Sequence, residues 1–100
     1  MDLIDTSWQP SETGNYIYIY VKICNTSGTT LKVLRVTATL EQQNNSIVST
    51  AKDIMEPMTI APNGTALAKL SCRANPLIHH YNLTFENADF KEVKFKNRTR

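Results

Sequence analysis

The feature that most constrains this chain is an alternation. From Tyr16 to Cys24 it reads Tyr-Ile-Tyr-Ile-Tyr-Val-Lys-Ile-Cys, with Ile17, Ile19, Val21 and Ile23 at every second position. Tyr16, Tyr18, Tyr20 and Lys22 fill the places between. Successive side chains of a β-strand project to opposite faces, so the run makes one apolar and one amphipathic face. A helix would scatter the same residues around its circumference. The pattern returns over Leu31–Gln42, where Leu34, Val36, Ala38 and Leu40 oppose Arg35, Thr37, Thr39 and Glu41. It returns again over Thr65–Cys72 (Ala66, Ala68, Leu70) and over His80–Glu86 (Tyr81, Leu83, Phe85).

Turn-forming residues separate these runs: Pro10, Ser11, Gly14 and Asn15, then Asn25–Gly28, Gln43–Asn45, Asn63-Gly64 and Asn87–Asp89. Residues 3–8 predict a leading strand and Ile47–Ile54 a weaker one. Residues 90–96 predict a closing strand with Val93 and Phe95 inward. Phe90 is out of phase with that pair and belongs in the turn or at a bulge. Pro57 and Pro62 exclude a central strand from 55–62 and predict an edge or an irregular crossover there. The sum is about seven short strands, each with one apolar face. Two stacked sheets bury such faces, so the expected fold is an all-β, immunoglobulin-like antiparallel β-sandwich. A half-open barrel is the competing arrangement.

One hundred residues fit a single domain, 1–100, with a leading segment at 1–15 and a tail at 97–100. A hydrophobic fraction of 41% with a net charge of +2 excludes intrinsic disorder. No apolar run approaches the roughly 18 residues of a membrane span. The start, Met1-Asp2-Leu3-Ile4-Asp5, has neither the basic nor the apolar region of a secretory signal. It fits a cytosolic chain or a piece whose leader has been removed. Five Asn-x-Ser/Thr sequons stand at Asn25, Asn44, Asn63, Asn82 and Asn97. Chance predicts about 1.6 from this Asn and Ser/Thr content. The excess hints at a secreted eukaryotic or viral glycoprotein, but the favoured reading is a polar-surfaced bacterial or archaeal domain rich in Asn and Thr.

Three stretches, taken in order, resemble a known family. They are "VKICNTSGTTLKVLRVTATL", "IAPNGTALAKL" and "HHYNLTF", within roughly residues 16–86. Together they are similar to the small bacterial and archaeal envelope domains of the FxLYD type and, more loosely, to LEA14-like domains. At the signature position the chain reads Ala38-Thr39-Leu40-Glu41-Gln42, of which Leu40 agrees. The resemblance implies an immunoglobulin-like sandwich serving as an extracytoplasmic accessory module, with no shared catalytic site.

The reactive residues form no recognisable constellation. The strands that end in Cys24 and Cys72 are expected to be antiparallel neighbours. That puts the two thiols at opposite ends, about 25 Å apart, where a disulfide needs Cα atoms within about 7 Å. Both cysteines are therefore expected to be free. His79 and His80 are adjacent, so on a strand they point apart and share no metal. The carboxylates are scattered, and no phosphate loop or nucleophile motif is present. The reading is of a non-enzyme with no metal and no cofactor.

The most informative surface is the row Tyr16, Tyr18, Tyr20, to which the neighbouring strand adds Leu67 and Lys69. Tyrosine offers broad contact area with a polar tip, as partner surfaces and sugar platforms do. It also simply suits a pleated face, and the segment around Trp8 could cover it. The basic tail, Lys91, Lys94, Lys96, Arg98 and Arg100, is narrower than a nucleic-acid footprint and reads as a solvated edge guarded by lysines. The expected function is a protein-binding or spacer module of an envelope or secreted protein. The alternatives are a carbohydrate-binding module stacking sugars on these tyrosines and Trp8, or a glycosylated ectodomain that binds a receptor. No nucleic acid and no membrane insertion are expected.

Overall fold

The alternating run forms a central strand of one sheet. A computed structural model describes residues 1–99; Arg100, the last cation of the tail, lies outside the described residues. Nine strands and no helix occur among the described residues: β1 Asp2–Pro10, β2 Tyr16–Cys24, β3 Leu31–Lys32, β4 Arg35–Glu41, β5 Ile47–Ile54, β6 Thr59–Ile60, β7 Thr65–Arg73, β8 His80–Glu86 and β9 Lys96–Asn97. One sheet has the order β7-β2-β1-β9 and the other β5-β4-β8, with a two-stranded β3-β6 ribbon beside them. The chain is an all-β sandwich.

The core lies between the apolar faces that the periodicity marks. Ile17, Ile19, Val21 and Ile23 of β2 and Ala66, Ala68 and Leu70 of β7 are buried against Val36, Ala38 and Leu40 of β4 and Phe85 of β8. Tyr81 crosses between the sheets. Its ring lies 5.9 Å from that of Trp8, and its hydroxyl is 2.8 Å from Thr6 Oγ1, so its polar end is satisfied at the core rim.

Two expected strands change form. Leu31–Gln42 is not continuous: β3 and β4 are separated at Val33, where φ is +51°. That left-handed conformation is rare for a β-branched residue. The crossover holds the corner in place. Val33 N donates to Met58 O (2.7 Å), and Met55 N donates to Leu34 O (2.8 Å). Leu34 is thereby turned fully inward, and Met55 and Ile60 are buried with it. Alternation alone cannot show such a corner, because the polarity pattern runs on through it.

The closing strand 90–96 does not form either. A turn at Asn87–Lys91 places Phe90 at φ +61° with its ring 68% exposed, which accounts for its phase. The chain then meets β8 in an isolated antiparallel bridge, Glu92 with Glu86, in which Val93 N donates to Phe85 O (2.8 Å). Phe95 lies edge-on to Phe85 at 5.1 Å. Only Lys96–Asn97 becomes a strand, and it runs parallel to β1, departing from the antiparallel expectation. An apolar pair two residues apart also arises where an extended segment crosses the open end of a core, and that is its origin at Val93 and Phe95.

The end of the sandwich near the β3-β6 ribbon is tied by Asn25, which is fully buried. Its Nδ2 donates to Thr29 O (2.7 Å), Ile60 O (3.0 Å) and Ala61 O (3.3 Å). Its Oδ1 accepts from Ser27 N (3.1 Å) and Ser27 Oγ (2.7 Å). Its backbone exchanges bonds with the Asn63-Gly64 turn: Asn25 N donates to Gly64 O (2.9 Å), and Asn63 N donates to Asn25 O (2.7 Å). The Asn-Thr-Ser-Gly and Ala-Pro-Asn-Gly turns, distant in sequence, are thus one hydrogen-bonded unit.

Candidate functional site

Register fixes the outer face of the first sheet. Residues directly opposite on neighbouring strands share a face. Tyr16 lies opposite Arg73, Tyr18 opposite Ser71, Tyr20 opposite Lys69 and Lys22 opposite Leu67 on β7. On the other side Tyr18, Tyr20 and Lys22 face Gln9, Ser7 and Asp5 of β1. The structure therefore gathers Tyr16, Tyr18, Tyr20, Leu67 and Lys69 onto one face. Tyr16 is 44%, Tyr20 36% and Leu67 58% exposed, while Tyr18 is half-buried.

Lys69 lies over the row. Its Nζ sits 4.2 Å from the Tyr18 ring centroid and 5.8 Å from that of Tyr20. An ammonium over an aromatic face is attracted by the ring quadrupole, by about 0.5–1 kcal/mol where water reaches it. The row is thus an aromatic face with a cation at its centre.

Beside it opens a cleft of about 770 Å³ lined by Tyr20, Lys22, Leu67, Lys69, Ile54 and Pro57. Its cause is topological. β5 and β7 are the facing edges of the two sheets, and past β5 they meet at one antiparallel bridge, Glu56 with Leu67. Both bonds of that bridge are 2.8 Å long. Beyond it β5 turns away to pair with β4, and the wedge left between them is the cleft. Sequence reading finds the tyrosines by their phase but not the wedge, because Ile54 and Pro57 approach Leu67 only through the sheet order.

Trp8 does not join the tyrosines. It lies opposite Ile19 in register, on the core-facing side, against Tyr81. The expectation of a sugar platform combining Trp8 with the row, and of Trp8 covering the row, is therefore corrected. The reason is a bulge between Leu3 and Asp5, which shifts the phase of β1.

His79 precedes the strand, so the expected divergence of the two histidines does not hold. Their Nδ1 atoms are 3.3 Å apart and their rings stand edge to face. His80 Nε2 lies 2.8 Å from Glu41 Oε1, which also accepts from Asn82 Nδ2 at 2.7 Å. No group of three or more metal-ligating side chains occurs among the described residues. Arg35, on the same outer face of the second sheet, donates to Asn87 O (3.1 Å) and lies 4.2 Å from the Phe90 ring centroid.

Cys24 lies opposite Thr65 and Cys72 opposite Ile17, at the two ends of the β2–β7 pair, and both thiols are free. Burial pushes the Cys72 thiol above its ordinary value. In the tail, Lys94 pairs with Glu92 (3.1 Å), and Arg98 Nε lies 3.8 Å from Asp2. Both contacts are largely solvent-exposed and contribute little. Among the described residues no helix is long and apolar enough to cross a membrane.

No family model matches this chain, and no curated protein does. Among solved structures it is similar to IrmA from Escherichia coli, with 18% identity over 97% of this chain and 87% of that one, at a TM-score of 0.63. A likeness at this identity defines the fold class, an all-β sandwich.

Proposed function

We propose that the chain is a non-catalytic, immunoglobulin-like module of an envelope or secreted protein, and that it binds another protein through the Tyr16–Tyr18–Tyr20 face. The observation that carries this reading is the exposed aromatic row, capped by Lys69 and continuous with the cleft beside Leu67. Aromatic side chains with polar tips are enriched at partner surfaces because they bury large area at small cost in side-chain entropy. The outer face of the second sheet has no comparable row: Thr37, Thr39 and Thr84 lie there beside Glu41 and Arg35, both engaged within the fold. The extracytoplasmic setting rests on the resemblance to envelope domains.

The test compares immobilised wild-type protein with the Y16S/Y18S/Y20S variant, each exposed to envelope and secreted fractions of the producing cells. A partner retained by the wild type and lost by the folded variant is the expected result. Retention of the same proteins by both sinks the assignment of this face.

A further inference from the structure

We infer that the free edge of β7, from Lys69 to Arg73, is a strand-addition site for an extended peptide carrying acidic residues four apart. The inference rests on the protein-binding reading above and specifies its mode. In an edge strand, alternate residues turn their N–H and C=O toward the neighbour and away from it. Leu67 exchanges both of its bonds with Glu56, on the side away from β2. By the period of two, Lys69, Ser71 and Arg73 turn their backbone groups to that same side. Among the described residues no strand pairs with them there, because β7 ends its sheet and β5 belongs to the other, paired with β4. Three donors and three acceptors thus line an open edge about 13 Å long. The edge runs between the 770 Å³ cleft and a second hollow of about 400 Å³ at Asn15, Tyr16 and Arg73.

Charge selects the occupant. A strand added antiparallel to β7 continues the ladder that Glu56 begins. Its residues opposite Lys69 and Arg73 project onto the tyrosine face, where those two cations flank Ser71. Oppositely charged residues directly across a sheet stabilise it and like charges destabilise it. Asp53 and Glu56 rim the far side of the cleft. Acidic residues are therefore favoured opposite Lys69 and Arg73, and an apolar residue is favoured beside Leu67 and Ile54.

The probe is a labelled heptapeptide, Val-Glu-Val-Thr-Val-Glu-Val, tested by fluorescence anisotropy and amide hydrogen exchange against the full chain. Expected are binding weakened about tenfold or more by Lys69→Glu with Arg73→Glu, by lysine in place of the peptide's glutamates, and by N-methylation of its threonine. The amides of Lys69, Ser71 and Arg73 exchange fast in the free protein and slow on binding, while those of Ala68 and Leu70 are protected throughout. Equal binding of the lysine or N-methylated peptide, or unchanged exchange at the three edge amides, overturns the inference. Protection that grows with protein concentration alone, with a dimer in sedimentation, overturns it in favour of a second copy of this chain. Loss of the cellular partner in the tyrosine variant, with the N-methylated peptide still bound, leaves the tyrosine face standing and removes only the strand-addition mode.

Discussion

The two outer faces of this sandwich are built from similar strands and have opposite characters. On the β5-β4-β8 face the polar groups are spent on one another: Glu41 accepts from His80 and Asn82, and Arg35 is held by Asn87 O and the Phe90 ring. On the β7-β2-β1 face Lys69 Nζ meets the rings of Tyr18 and Tyr20, and among the described residues the hydroxyls of Tyr16, Tyr18 and Tyr20 have no hydrogen-bond partner. Alternation gives both faces polar or amphipathic residues, so polarity does not distinguish them. What distinguishes them is whether the side chains are already satisfied within the fold. A face with unsatisfied contact area is the one available for recognition.

This contrast can be broken most directly from beneath. Phe85 lies under the threonine face, fully buried and edge-on to Phe95. Phe85→Ala should cost about 3–5 kcal/mol in chemical denaturation. A cost near zero would mean that the two sheets are not held by this core. Next in size is Asn25→Ala. It removes the donor serving three carbonyls, including the buried one of Ile60, and should cost about 1–3 kcal/mol. The same measurement checks it.

The tyrosine variant sharpens the comparison. Tyr16 and Tyr20 are exposed, so Y16S/Y18S/Y20S should change stability by no more than about 1 kcal/mol per site while abolishing partner capture. The T37A/T84A variant on the other face should leave capture intact. A tyrosine variant that fails to fold would show that the row serves the sheet rather than a partner.

The smallest effect concerns Cys72. Burial raises its thiol, so the folded chain keeps that proton at a pH where the unfolded chain releases it. Stability therefore falls slightly as pH rises past the ordinary thiol value. Replacing Cys72 by Ser should flatten that alkaline limb in pH-dependent melting. In native protein Cys72 should react with a thiol reagent more slowly than in denaturant, where both cysteines react.

Much of the fold was legible in the sequence because a period of two is a direct image of burial: Ile17, Ile19, Val36, Leu40 and Leu70 stand where their phase puts them. The failures share a cause. Val33 and the Leu3/Asp5 bulge are places where the backbone changes direction without a change in polarity, and periodicity is blind to that; the Phe90 turn, by contrast, showed in the sequence as a break in phase. The tyrosines were legible as an outward row. The cleft beside them was not, since it is made by the divergence of two sheet edges. Asn25 was visible only as a turn residue and a sequon, because nothing local reveals that its amide nitrogen serves carbonyls on Ile60 and Ala61.

That buried amide bears on how the chain is made. Oligosaccharide transfer acts on an unfolded nascent polypeptide, before Asn25 is enclosed, and a sugar attached there has no room once the two turns close. A eukaryotic secretory host should thus yield a poorly folded fraction that N25Q does not restore, since the longer side chain misplaces the same nitrogen. Blocking the modification with Ser27→Ala keeps the three Asn25 Nδ2 bonds and the bond from Ser27 N, losing only the one from Ser27 Oγ, and a bacterial cytoplasm avoids the conflict altogether.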